Sequence, residues 1–514
     1  MTFKASASPV RYKLPRSLSA AALLLTLGGC EDNPEPTPQP TPQTRCEGFR
    51  GKTLEEARIT GAELVAASGQ LPEYCKVTGT LPPSLDFEVR LPTVWNEKTV
   101  FAGGGGFDGS IPSTDVYTQK GYAAIASNGG HTGDVLDASF ALDPQKLDDF
   151  AYLSTHRVLP IAKAIIQERY GKGSAKTYFE GCSNGGREAL IEAQRWPEDF
   201  DGIIARAPAY NFVELLIAFN RNTRQLMKPG ASLPSEKLQV LGKAVLDACD
   251  ATDGVADGIL SHPTACQFDP AVLQCAGAEQ NDCLTAEQVA SAKTIYSPTL
   301  LNGTTLYPGW PAGGEADPLG WDAWITGNGN ATASAGGLFG SGLIKYFITR
   351  DPNYDPLTFD PNNWQPRINE MSALVSANNT DLGAFRTRGG KLILWHGGTD
   401  AAISLKGTAA YYEGVVQAAG GQAAADTFVE YFPAPGVNHC AGGAGADTVD
   451  LLTALENWVE KGVAPSQAGL VATKLDPQTG QSVLSRPLCK YPRYPKYKGS
   501  GDVNSADSFT CVDP

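Results

Sequence analysis

Residues 176–194, KTYFEGCSNGGREALIEAQ, decide the fold of this chain. Residues 176–180 have the character of a short buried strand, and residues 187–194 have helical spacing. Between them stands Gly181-Cys182-Ser183-Asn184-Gly185-Gly186. G-x-S-x-G between a strand and a helix is a nucleophile elbow, whose glycines allow a sharp turn that lifts the serine hydroxyl to the carboxyl edge of a sheet. The alternative, a tight turn with no chemistry, would not require this strand–turn–helix setting.

A serine hydroxyl needs a base, and the chain has five histidines: 131, 156, 262, 396 and 439. On α/β-hydrolase scaffolds the order along the chain is serine, acid, histidine. His439 lies in a loop after a predicted strand over 428–432 and fits the base. Asp400 follows the predicted strand 392–395 through His396-Gly397-Gly398-Thr399 and fits the acid. His396 then either supports the site from behind or lines the pocket. An oxyanion hole needs two backbone donors, and Asn184, after the nucleophile, with Gly106, in the Gly103–Gly106 run, fill those places.

Outward from the elbow, residues 87–91, 99–102, 123–127 and 203–205 read as further strands, 151–170 as a helix despite Pro160, and 448–461 as a closing helix. Strands alternating with helices predict an α/β fold with a parallel sheet. The rhythm breaks over 212–375, where loops rich in Gly, Asn, Ala and Ser and the tryptophans 310, 321, 324 and 364 gather. It resumes at Lys391. The predicted organisation is a core over 46–211 and 376–514, split by a large inserted cap over 212–375.

The 514 residues are 42% apolar and 19% charged, with a net charge of −14. Such a composition excludes disordered and fibrous classes, and an acidic surface repels phosphate backbones, so no nucleic-acid partner is expected. The first 29 residues carry four basic and no acidic side chains ahead of the apolar run 18–27, which predicts a signal peptide. Leu27-Gly28-Gly29-Cys30 resembles a bacterial lipobox, and residues 30–45 are a Pro-rich tether. The expected location is periplasmic or cell-surface, as a lipoprotein, with plain secretion the alternative. Any membrane contact would run through that anchor.

Eleven cysteines, less Cys30, leave an even ten, as expected of an exported chain. Their clustering suggests the local pairs Cys46–Cys75, Cys249–Cys266, Cys275–Cys283 and Cys489–Cys511, although spacing alone leaves the connectivity open. Cys182 and Cys440 remain, each adjacent to a candidate catalytic residue, so a Cys182–Cys440 bridge would clamp the Ser183 and His439 loops together.

Cys-Ser followed by a distant Asp and by His-Cys resembles the tannase/feruloyl esterase family. The resemblance runs through GGGGFDGS (103–110), GCSNGGREA (181–189), GGKLILWHGGTDAAI (389–403), GVNHCAGG (436–443) and YKGSGDVNSADSFTC (497–511). It implies an α/β-hydrolase core with a large cap over the site, and hydrolysis of esters of aromatic acids: gallates, hydroxycinnamates or, in one branch, mono(2-hydroxyethyl) terephthalate. The closing motifs look most similar to that last branch.

The stretch 249–259, CDATDGVADGI, packs three carboxylates among glycines, and acids so close repel unless a hard cation holds them. It lacks the EF-hand spacing and closing Glu. It resembles the family's calcium site, which implies ligation by Asp250, Asp253 and Asp257 and by the Val255 and Ile259 carbonyls. Such an ion would be structural, and no organic cofactor is called for.

The resemblance to the terephthalate branch implies a cap arginine for the free carboxylate. Residues 330–343, NATASAGGLFGSGL, hold no Lys or Arg, and Lys345 and Arg350 are the nearest. Ala401-Ala402-Ile403 stands where that branch has an aromatic residue. The expected substrate is therefore a feruloyl or galloyl type of aromatic ester, with the terephthalate monoester as the alternative. Trp324, Phe339, His396 and Ile403 are candidates for the pocket wall. A serine peptidase on the same scaffold and a silent binding module are the rival classes.

Overall fold

The computed structural model describes residues 41–514. The expected signal peptide, Cys30 and most of the tether lie outside the described residues. Ten strands form one sheet: β1 (Thr53–Leu54), β2 (Ala57–Val65), β3 (Tyr74–Leu81), β4 (Leu85–Pro92), β5 (Lys98–Ala102), β6 (Ala123–Ser127), β7 (Lys176–Cys182), β8 (Gly202–Arg206), β9 (Lys391–Gly397) and β10 (Val429–Ala434). Their spatial order is β1-β2-β3-β4-β6-β5-β7-β8-β9-β10.

The sheet has two halves with different physics. From β6 through β5, β7, β8 and β9 to β10 every pair is parallel. These strands are short apolar runs such as AAIAS and GIIAR, buried at nearly every position because layers cover both faces. Successive side chains divide between the two faces. Phe179, Ile203, Leu392 and Leu394 pack with one helical layer that includes Ile165 and Leu190. Tyr178, Ile204, Ile393 and Trp395 pack with the opposite one, which includes Leu455 and Trp458 of helix Leu451–Lys461. The β1–β4 half is antiparallel and joins the rest through an antiparallel β4–β6 pair. In β2 and β4 buried residues alternate with more open ones, the pattern of strands with one covered face.

Between β8 and β9 the chain adds no strand to this sheet. Its elements there are helices, among them Phe212–Leu226 and Gln365–Val375, and a small hairpin of Thr299–Leu301 with Thr304–Tyr307. The first of these helices begins at Phe212 and the second ends at Val375. Phe219, Trp310, Trp321 and Phe347 of the insertion belong to an apolar cluster that it shares with Phe107, Phe140 and Phe150 from between β5 and β7 and with Ala401, Ala402 and Ile403 from beyond β9. Residues 41–514 form one compact unit, so the insertion is a layer of that unit.

Among the described residues five disulfides close loops of very different length. Cys46–Cys75 ties the segment before β1 to β3, with Cα atoms 5.5 Å apart. Within the insertion, Cys249–Cys266 and Cys275–Cys283 close short loops of 17 and 8 residues' separation. Cys489–Cys511 staples the C-terminal segment, where Tyr494–Tyr497 pairs with Phe509–Val512. These four are the pairs that the clustering suggested while leaving the connectivity open. Geometry removes that ambiguity, because each pair brings its Cα atoms within 5.1 to 5.6 Å, the span of a disulfide. The fifth, Cys182–Cys440, is the long-range bridge, with a sequence separation of 258. Among the described residues no helix is long and apolar enough to cross a membrane.

Candidate active site

β7 ends at Cys182 and helix Asn184–Arg195 begins at once, leaving Ser183 alone at the turn with φ 64° and ψ −120°. This is a left-handed conformation that a side chain adopts only where its surroundings impose it. The surroundings are glycines. A Cβ at Gly181 would lie 2.4 Å from the Gly185 carbonyl oxygen, and one at Gly185 would lie 2.7 Å from the Gly104 oxygen. The elbow, the helix start and the loop after β5 thus meet backbone to backbone.

The loop after β5 spends most of its amides. Gly103 N–H donates to the Glu180 carbonyl, Gly104 N–H to Glu188 Oε2 at 2.9 Å, and Phe107 N–H to the Val135 carbonyl. Gly106 at φ 57° and Asn184 line the cavity beside Ser183, and among the described residues neither backbone N–H has a protein acceptor. Two unspent donors therefore stand at the carboxyl edge of the sheet, next to the elbow.

Behind them lies a buried polar network. Asn184 Nδ2 donates to Asp108 Oδ1 at 2.6 Å and to Glu188 Oε1 at 3.3 Å, while its Oδ1 accepts from Arg187 Nε at 2.7 Å. Arg187, fully buried, also donates to the carbonyls of Phe150, Ala151 and Val375. Burial and the neighbouring Glu188 push the Asp108 carboxyl well above the usual range. The network ties the loop after β5 and the helix Asn184–Arg195 to the end of the insertion. Sequence reasoning missed Asp108, Arg187 and Glu188. Their place in GGGGFDGS and GCSNGGREA was the available signal.

Asp400, fully buried, sits just past β9. Its Oδ1 accepts from the Ala402 and Ile403 amides at 2.8 Å each, and its Oδ2 faces His439 Nδ1 at 2.8 Å. Burial alone would raise this carboxyl, but the His439 charge and the hydrogen bonds from His396 and His439 outweigh it and hold it well below the ordinary range. His439 also packs against the Trp324 ring in a T-shaped pair, with centroids 4.9 Å apart. The Ser183 hydroxyl has no hydrogen-bond partner among the described residues. Its link to His439 is covalent and one residue removed, through Cys182–Cys440 with Cα atoms 6.0 Å apart.

Over Ser183 opens an apolar cavity. Phe212, Leu215, Leu216, Phe219, Trp324 and Phe339 come from the insertion, and Ala209, Ala402 and Ile403 from the loops after β8 and β9. Of the four residues expected in the wall, Trp324, Phe339 and Ile403 line this cavity. His396 does not: it is fully buried and takes no part in the lining, because Thr408 Oγ1 and the Ile403 carbonyl engage its two ring nitrogens. No lining residue carries a charge. Arg350 instead holds the Ala141 and Leu142 carbonyls, and Lys345 lies outside the lining.

In the acidic loop, Asp250 Oδ1 and Asp253 Oδ2 are buried without partners. Orphaned carboxylate oxygens of this kind suit a hard cation. Asp257, in contrast, is drawn to the buried Arg486 guanidinium, which stacks on Phe509 at 4.1 Å. Among the described residues no three acidic, His or Cys side chains already converge as a metal cage. The oxygen-only donor set fits a cation, but with Asp257 partly claimed by Arg486.

Comparison with known proteins gives the family of the chain. A family model, tannase and feruloyl esterase, matches residues 67–512. The mono(2-hydroxyethyl) terephthalate hydrolase of Piscinibacter sakaiensis is 35% identical over 88% of this chain and 87% of that protein. A probable feruloyl esterase of Arthroderma benhamiae is 34% identical over 82% and 81%. Among solved structures, feruloyl esterase B from Aspergillus oryzae superposes with a TM-score of 0.83 at 26% identity, covering 92% of this chain and all of that one. Tannin acyl hydrolase from Aspergillus niger shares the fold, with a TM-score of 0.71 at 23% identity over 92% and 95%.

Proposed function

The chain belongs to the tannase and feruloyl esterase family and is a carboxylic ester hydrolase, and from that premise we propose that it cleaves esters of neutral aromatic acids through an acyl-enzyme on Ser183. Ser183 Oγ attacks the acyl carbon as His439 Nε2 takes its proton, and the imidazolium then passes that proton to the leaving alcohol. Asp400 orients His439 through Nδ1 and stabilises its charged form. The Asn184 and Gly106 amides receive the oxyanion. Water then repeats the sequence on the acyl-enzyme and releases the acid.

The observation that carries the substrate class is the cavity wall. Aromatic rings and aliphatic side chains surround Ser183, with no cation among them. A terephthalate monoester, the substrate named for the Piscinibacter relative, would bring a second carboxylate into that wall with nothing to pair it, and burying an unpaired charge is costly. Feruloyl or galloyl groups carry no such charge. The insertion, residues 212–375, acts here as the cap that supplies the acyl pocket. A hydrolysis panel of methyl ferulate, methyl gallate, chlorogenate and mono(2-hydroxyethyl) terephthalate tests the reading, with the neutral acyl groups expected to match or exceed the monoester in kcat/KM.

A calcium ion at 250–259 completes the proposal as a structural element. Asp250 and Asp253 would hold it, with the Val255 and Ile259 carbonyls and Asp257 as the remaining ligands. It would neutralise buried negative charge and stiffen the loop, and no catalytic step passes through it. The disulfides suit an exported enzyme. An anchor at Cys30 remains part of the proposal.

A further inference from the structure

Two histidines, not one, converge on the acid of the candidate triad. His396 closes β9 and is fully buried. Its Nε2 lies 2.9 Å from the Ile403 carbonyl oxygen and 3.2 Å from Asp400 Oδ2. Both are acceptors, so Nε2 carries the ring proton, which it gives to the Ile403 carbonyl with Asp400 Oδ2 as the second, longer contact. Nδ1 meets Thr408 Oγ1 at 2.8 Å. Asp400 Oδ2 is the same oxygen that His439 approaches at 2.8 Å. Oδ1 is already held by two backbone amides, so the carboxylate stays oriented without help from His396.

We propose that His396 is a positioning residue that tunes the base: its Nε2–H draws on Asp400 Oδ2 and so lowers the pH above which His439 is free to accept a proton. A neighbouring carboxylate favours the charged form of an imidazole, and a donor on that carboxylate takes up part of its negative charge. Because two imidazoles share one oxygen, His439 feels less than a full carboxylate.

Few other ionisable groups compete. Among the described residues Asp400 forms ion pairs only with the two histidines. Tyr307, whose hydroxyl accepts from the Ser404 amide, and Tyr431 face the same carboxylate, and burial keeps both protonated. Asp317 faces Thr399, one residue away, and feels Lys474. The inference rests on Ser183, Asp400 and His439 acting as the triad.

The test is the acidic limb of kcat/KM against pH, for an aryl ester and the full-length protein. His396→Gln keeps an N–H near the position of Nε2, whereas His396→Asn reaches Thr408 but not Asp400. The limb should move up by about half to one pH unit in His396→Asn and stay in place in His396→Gln, with plateau rates changed only a few-fold. An unmoved or lowered limb in His396→Asn would overturn the proposal. A nitrogen-detected NMR spectrum of the wild-type histidines needs no variant to fold. A protonated Nε2 on His396 is expected there, and an unprotonated one refutes the inference. His439→Ala separates the two ideas: retained turnover would sink the triad itself, while a dead His439→Ala beside an unmoved His396→Asn limb would sink only the role of His396.

Discussion

Cys182 and Cys440, 258 positions apart in sequence, are bonded to each other, and each is the chain neighbour of a proposed catalytic residue. Cys440 and Ser183, the chain neighbour of Cys182, both hold φ 64°, so the bridge anchors one such position directly and the other one residue away. The clamp does for the serine and histidine what hydrogen bonding does for the histidine and acid. Replacing both cysteines by alanine should therefore lower kcat by at least about tenfold and cost roughly 2–5 kcal/mol of stability. Kinetics and chemical denaturation of the double variant check this, and free thiols at both positions in the purified wild-type protein would refute it.

The elbow glycines make a second test. Gly185→Ala drives a Cβ to 2.7 Å from the Gly104 carbonyl oxygen, a backbone atom that cannot swing aside. The loop carrying Gly106 must shift, so both stability and turnover should fall, by about 1–3 kcal/mol and more than tenfold. Gly105→Ala, where the added Cβ meets open space, serves as the control and should change little.

Asp400 supplies a pH-dependent prediction. Its carboxyl is held below the ordinary value in the folded state, so its contribution to stability is fully present above the unfolded pKa of about 4 and is lost as pH falls below that. The stability deficit of Asp400→Asn relative to wild type should be full at pH 7 and shrink below about pH 4, read by urea denaturation at both values. Its kcat should fall by about 10⁴, because the wrong histidine tautomer is favoured.

Much of this site was legible in the sequence, for local reasons. The elbow is a contiguous motif, β6 is a buried run with abrupt ends, and the partners in Cys275–Cys283 or Cys249–Cys266 lie close along the chain. What could not be read depends on tertiary partners. Gly185 and Gly186 look like turn residues yet belong to a helix from Asn184, because only glycine lets that helix start lie on Gly103 and Gly104 at Gly185 and on Arg206 and Pro208 at Gly186. β2 carries Glu63, Gly61 and a register shift between Ile59 and Gly61, and its one covered face gave no apolar run to recognise. The helix expected from residue 151 starts at Ser154 after a wide turn over Asp149–Leu153, whose Phe150 and Ala151 carbonyls are turned to Arg187. Arg486 reaches Asp257 from 229 residues away, a distance at which spacing says nothing.

That last pair bears on the cation. If an ion binds only the folded loop, chelation should lower Tm and added calcium restore it by mass action. Asp253→Asn, which removes a buried orphaned carboxylate, should abolish the calcium response. An unchanged Tm in chelator would show that Arg486 alone neutralises the loop.

The acyl cavity leads to a prediction about charge. With Trp324, Phe339 and Ile403 as walls, discrimination among neutral aromatic acyl groups should be modest, about 1–3 kcal/mol between close analogues. Phe339→Arg should raise kcat/KM for the terephthalate monoester relative to methyl ferulate, since a guanidinium gives the second carboxylate a bidentate partner. No gain for the monoester would place the acid's far end elsewhere.

The most direct measurement of the central claim is the site of covalent capture. The full-length protein is treated with a fluorophosphonate, digested and mapped by mass spectrometry, alongside Ser183→Ala. A single adduct on Ser183, formed as ester hydrolysis disappears and absent from the variant, is the predicted result. Labelling at another residue, or undiminished ester hydrolysis by Ser183→Ala, would contradict it.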